Sequence, residues 1–381
     1  MNTRFLRLLG VVLGSASLLA SAASFETITI DPSIQIGYGL ALADVNGDGK
    51  KDVVLADKNQ MVWYENPTWK KHILTEKLTV LDHVCVAARD TDGDGLAEIA
   101  AGAGWNPGDT LNSGSLHYLI APKNRSERWS ATALPYDPTV HRIKWIHTGG
   151  AYQLLSVPLH GKGNKNAAGA GVRIQLYSRP SDISQPWKTT VVNDLLHQTH
   201  NFDLVDLKGD GNEAFFVSAK EGVHLMQNSG GTWKTTQISD RESGEVRLGK
   251  DKAGKQFLAV IEPFHGTNLV WYVPGPDGAL WKGEVLDDAL KGGHAVGTGD
   301  FLKQGHDQIV VGWREPNAAQ KFGVKLFSQN DAGKWTSEWL DENGMACEDV
   351  AVGDLDGNGK LDVVAAGRST HNVKIYFNRN R

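Results

Sequence analysis

One loop recurs along this sequence and constrains the fold more than anything else in it. Its fullest copy is Asp354-Leu355-Asp356-Gly357-Asn358-Gly359-Lys360-Leu361-Asp362, which runs straight into the apolar stretch Val363-Val364-Ala365-Ala366. Oxygen-bearing side chains recur at alternate places and glycines permit a sharp turn, the pattern of a loop for a hard cation feeding a buried strand. Matching copies begin at Asp44 and Asp90, and weaker ones at Asp206 and Asp300. Structural calcium is expected in the first, second and last blades, on Asp44, Asn46, Asp48 and Asp52, on Asp90, Asp92, Asp94 and Glu98, and on Asp354, Asp356, Asn358 and Asp362.

A second repeat counts the units. Trp69 and Leu74, Trp129 and Leu134, Trp187 and Val192, Trp233 and Ile238, Trp281 and Leu286, and Trp335 and Leu340 share one offset. The seventh copy, Phe25 with Ile30, stands at the other end of the chain. Each unit holds four short strand-like runs divided by turn signals. The expected fold is therefore all-β, a seven-bladed β-propeller closed by its N-terminal strand. The blades are placed at 37–74, 81–135, 139–193, 196–239, 244–288, 292–342 and 345–381, the last completed by 24–30.

Arg4 and Arg7, an apolar run from Leu8 to Leu19 and the small residues Ala20 to Ala23 read as a signal peptide over 1–22. The remainder, 23–381, is expected to be one secreted or periplasmic domain with no membrane span. A net charge of −5 without a basic block gives no reason to expect nucleic acid as a partner. Cys85 and Cys347 are expected as buried free thiols.

Blade order puts the acidic loops on the far face and gathers the first-strand starts on the near face. Six residues before each loop, with His147 and Asp251 taken as the loop starts in the third and fifth blades, stand Tyr38, Val84 with His83 beside it, His141, His200, Glu245, His294 and Glu348. The near-face loops add Trp105, His160, Glu262, His265, Trp313, Arg314 and Arg368, with Arg142 and Arg247 close by. Folding a propeller does not call for imidazole there. Three neutral imidazoles about an open position make a transition-metal site of zinc type.

The Asp-x-Asp-Gly-Asn-Gly loops followed by Asp-Val-Val resemble those of the FG-GAP/VCBS class of secreted calcium-loop propellers. Gly114-Ser115-Leu116-His117-Tyr118, Thr139 to Trp145 and Gly292-Gly293-His294-Ala295-Val296 are similar to the propeller domain of aldos-2-ulose dehydratase. That resemblance implies a zinc ion at the bottom of the cleft and elimination of water from a keto-sugar. The sequence ends with the seventh blade, so the family's cupin part and its isomerase step are not expected. On this reading His83, His141 and His200 hold zinc, His294 or His265 is the base, and Arg142 and Arg314 orient substrate oxygens. The rivals are a uronate polysaccharide lyase on the same fold, relying more on Tyr38 and Arg247, and a binding module for carbohydrate or protein. The insertions at 106–112 and 161–171 are expected to shape specificity.

Overall fold

A computed structural model describes residues 23–380; the signal peptide expected at 1–22 lies outside the described residues. Seven four-stranded antiparallel sheets form the blades. Their inner strands are Gly39–Ala43, Cys85–Arg89, Val140–Thr148, Thr199–Val205, Glu245–Lys250, Gly293–Gly299 and Cys347–Gly353. The second strands, such as Asp52–Asp57, Glu98–Ala103, Ala214–Ala219 and Asp362–Gly367, are buried along their whole length. Neighbouring blades cover both faces of each sheet, so these strands read as continuous apolar runs rather than alternating ones. The outer strands carry the solvent, as in Lys188–Asn193 with its first four residues exposed.

The core is divided among the blade junctions. Ile146, Leu155 and Val157 of the third blade pack on Phe202, Phe215 and Val217 of the fourth, and similar clusters fill the other seams. The tryptophan repeat works across these seams. Trp129 N–H donates to the Leu74 carbonyl at 2.7 Å, and Trp281 N–H to that of Ile238 at 2.9 Å. The aromatic mark of one blade thus meets the aliphatic mark of the blade before it.

Closure follows the expectation. Phe25–Asp31 pairs antiparallel with Asn372–Asn378 and completes the last blade. Asp31 then ties that strand to the first blade, accepting from Tyr64 Oη and Lys71 Nζ at 2.8 Å each. Cys85 and Cys347 are free and buried. No helix among the described residues is long and apolar enough to cross a membrane.

Candidate functional site

The near-face mouth is built by a defect repeated in several blades. Inner-strand register shifts between Val140 and Arg142, Thr199 and Phe202, Gly293 and Ala295, and Cys347 and Asp349. The residues inside these bulges are His141, His200 with Asn201, His294 and Glu348. An extra residue in one strand breaks the alternation of sides and re-aims the side chain it carries. The inner strands of the first, second and fifth blades run in unbroken register.

His141, His160, His200, His265 and His294 line one cavity of about 370 Å³ with Tyr38, Trp105, Phe264, Arg142, Arg314, Arg368 and Glu348. One ring nitrogen from each of His200, His265 and His294 falls in a group whose members all lie within 4.8 Å of one another. His200 Nε2 and His265 Nε2 are 2.7 Å apart. Main-chain carbonyls fix the tautomers: His141 Nδ1–H donates to His200 O at 3.0 Å, His200 Nδ1–H to Gly244 O at 2.9 Å, and His294 Nδ1–H to Glu348 O at 2.5 Å. Each of those three rings therefore keeps its Nε2 as the free donor atom for a ligand. Glu245, behind His200, adds a carboxylate oxygen 3.1 Å from the same Nδ1.

Burial, reinforced by the Arg142 charge, holds His141 and His200 well below the usual imidazole range. Burial and Arg314 do the same to His294, and burial with His200 to His265. All four rings are neutral at pH 7, the state a metal ligand or a general base needs.

His265 comes from the loop after Gln256–Glu262, beside Phe264, whose φ of +33° lies where a bulky side chain is rare. Gly244 makes room for that loop: a Cβ there would meet Phe264 O at 2.1 Å. Glu348 accepts from Arg368 Nη1 at 2.9 Å and Arg314 Nη1 at 3.3 Å, so two of the mouth's guanidiniums are already paired. Among the described residues Arg142 has only the His141 carbonyl, at 3.1 Å, and its Nε is buried without a partner.

His83 stands apart from this group. It is fully buried, does not line the cavity, and its Nε2 accepts from Leu78 N–H at 3.1 Å. Its neighbour Val84 continues the ladder with Gly102, so His83 lies one place before the strand and faces the other way. His197 is held by Glu221 at 2.8 Å, and Arg247 lines the axial channel rather than the mouth. His141 remains beside the cluster, its ring 4.6 Å from His200 and stacked on Trp105 at 4.8 Å. Glu348 and Phe264 are mouth residues without a role in the sequence reading. Bulges have no signature in residue type, and Phe264 lies in a loop outside the repeat. The two insertions meet, Gly163 N–H donating to Thr110 O at 3.0 Å.

On the far face the loops are held by their own carboxylates. Asp44, Asp90, Asp206 and Asp354 each accept from two glycine amides, and Asp300 accepts from those of Gln304 and Gly305. The last carboxylate clamps the turn: Asp52 accepts from Val45 N–H, Glu98 from Thr91 N–H and Asp362 from Leu355 N–H. Carboxylate oxygens of Asp90, Asp92 and Asp94 lie within 4.8 Å of one another, as do those of Asp354, Asp356 and Asp362. Glu98 and the first blade's Asp44, Asp48 and Asp52 do not join such a group among the described residues.

Fold and mouth together define a seven-bladed β-propeller with a buried histidine cluster at one end of its axis. Residues 113–275 match the family model for the aldos-2-ulose dehydratase beta-propeller domain, and residues 44–101 match the FG-GAP-like repeat. The resemblance read from the residues thus holds, and it suggests a carbohydrate-related role. The first match spans His141, Arg142, His200 and His265; His294, Arg314 and Glu348 lie beyond it. No curated protein matches the chain. Among solved structures, a chain of a mitotic checkpoint complex is similar at 13% identity, covering 100% of both chains with a TM-score of 0.57. An Agrocybe aegerita lectin that recognises non-reducing terminal N-acetylglucosamine is similar at 12% identity over 81% of both chains, with a TM-score of 0.48. At its identity the first shows the shared fold alone, and the second is too loose to add to it.

Proposed function

We propose that this chain is a carbohydrate lyase of the dehydratase type, eliminating water or a sugar from a keto-sugar at the near-face mouth. The observation that carries the reading is the convergence of His200, His265 and His294, with two Nε2 atoms 2.7 Å apart. The donor set fits a zinc-type ion, being three neutral imidazoles with carbonyl and carboxylate groups behind them. His200, His265 and His294 would hold it, in place of the set His83, His141 and His200. When bound, the ion supplies Lewis-acid charge at a substrate carbonyl and so acidifies the neighbouring C–H.

The chain's own groups divide the remaining work. His141, outside the ligand set but beside it, has a free Nε2 to accept the α proton. The Tyr38 hydroxyl lines the same cavity and donates to Asp82 at 2.9 Å; burial and Asp82 hold it protonated, and turned from Asp82 to the substrate the same O–H would donate to the departing oxygen. Arg142 is free to orient a substrate oxygen, while Arg314 acts with Glu348. Trp105 and Phe264 wall the cavity against water.

A uronate lyase would need guanidiniums to neutralise the substrate carboxylate. Glu348 already engages Arg314 and Arg368, which leaves Arg142 as the mouth's one unpaired guanidinium among the described residues and favours the uncharged keto-sugar. The far-face carboxylate groups support structural calcium, and the apolar leader at 1–22 supports export. Incubation with keto-sugars such as 1,5-anhydrofructose, followed by ultraviolet absorption, tests the proposal. A conjugated enone that appears with the wild type and fails with His141→Ala supports it; absence of any such product with keto-sugars overturns it.

A further inference from the structure

Beyond the mouth the seven inner strands enclose a second cavity of about 420 Å³, and Arg142 lines both. Its charged lining includes Arg142, Lys144, Arg247, Asp203 and Asp349, with Asn201 beside them. The acids there are spent on main-chain amides. Asp203 accepts from Leu248 N–H at 2.9 Å, and Asp349 from Leu40 N–H at 2.8 Å and Val350 N–H at 2.9 Å.

Each cation gives one donor to a main-chain carbonyl and keeps others to spare. Lys144 Nζ donates to the Phe202 carbonyl at 2.9 Å, Arg247 to that of Val246 at 2.6 Å, and Arg142 to that of His141 at 3.1 Å. Among the described residues no carboxylate comes within 4.0 Å of Arg142 or Lys144, and Arg247 has Glu245 only at 3.7 Å. Arg142 is 7% exposed, with its Nε orphaned. Burial, and after it the Arg247 charge, lowers the Lys144 ammonium to about 8, against the opposing pull of Asp203, Asp349 and Glu245.

Guanidinium and ammonium donors left over around an enclosed space are complementary to an oxyanion, whose oxygens can accept from several of them at once. We infer that the axial channel is an oxyanion site, taking a carboxylate, sulfate or phosphate group between Arg142, Lys144 and Arg247. This site meets the substrate mouth at Arg142, which lines both, and does not depend on the reaction proposed there.

The test is calorimetric and thermal titration of the full chain with sulfate, phosphate and acetate, against chloride at equal ionic strength. A saturable rise in Tm with an oxyanion is expected, with affinity falling at least tenfold in Lys144→Met and Arg247→Gln and persisting in His265→Ala. Preference for sulfate and phosphate marks a tetrahedral oxyanion, and preference for acetate a carboxylate. No saturable response, a response unchanged in both channel variants, or one lost in His265→Ala overturns the inference. Should the channel variants fail to fold, selenate soaked into wild-type crystals decides: anomalous density against Arg142 supports the site, and density elsewhere or none removes it.

Discussion

His200 Nε2 and His265 Nε2 face each other across the seam between the fourth and fifth blades at 2.7 Å. With the Nδ1 proton of His200 committed to Gly244 O, the two nitrogens either share the His265 proton or present both lone pairs to one cation. His294 Nε2, free because its Nδ1 is held by Glu348 O, completes a set of imidazoles from two inner strands and one loop.

Gly244 is the hinge of that geometry. Its carbonyl holds His200, and its missing Cβ admits the backbone of Phe264 next to His265. Gly244→Ala forces the loop outward without touching a ligand. The expected outcome is a stability loss of about 1–3 kcal/mol and metal affinity reduced roughly 10–100-fold, read by urea unfolding and competition with a chromophoric chelator. Wild-type values in both would mean that this packing does not set the His265 position.

The acidic loop of the first blade predicts an unusual pH dependence. Burial, with Asp48 and Asp44 adding to it, pushes Asp52 up to about 7. A carboxyl whose folded pKa exceeds its unfolded one favours folding below about 4 and loses that contribution as pH rises through about 7. In chelator, Tm is therefore expected to fall between pH 5 and pH 8, by the equivalent of a few kcal/mol from this group. Asp52→Asn is expected to remove most of that slope. A Tm that falls as steeply with pH in the variant as in the wild type would contradict this.

Asp31 locks the ring. Asp31→Ala leaves the buried Tyr64 hydroxyl without its acceptor and Lys71 without its partner, at an expected cost of about 1–3 kcal/mol. Tyr64→Phe in the same chain removes the stranded hydroxyl and is expected to recover part of it. Additive losses in the double variant, measured by urea unfolding, would show that the two side chains are not coupled.

The blades were legible because each depends on its neighbour for burial, which forces the Trp129 and Leu74 type of mark to recur at fixed spacing. The site was legible only in part. His141, His200 and His294 share an offset from the acidic loops, and that offset survives folding. At His141, His200, His294 and Glu348 a bulge aims that position into the mouth, a backbone event with no residue signature, whereas Tyr38 reaches the mouth from an unbulged blade. His83 shows the cost: adjacent to the right position in an unbulged blade, it points to Leu78 instead. His265 stood outside the periodic count because its place is set by a loop packed on Gly244.

The most direct test of the account is elemental analysis of the purified full chain after dialysis against zinc and then metal-free buffer. About one tightly held transition ion per chain is expected, retained in His83→Ala and lost in both His265→Ala and His294→Ala. A wild-type protein that holds no such ion, or variants at His265 and His294 that hold it as firmly as wild type, would contradict the histidine mouth as a metal centre.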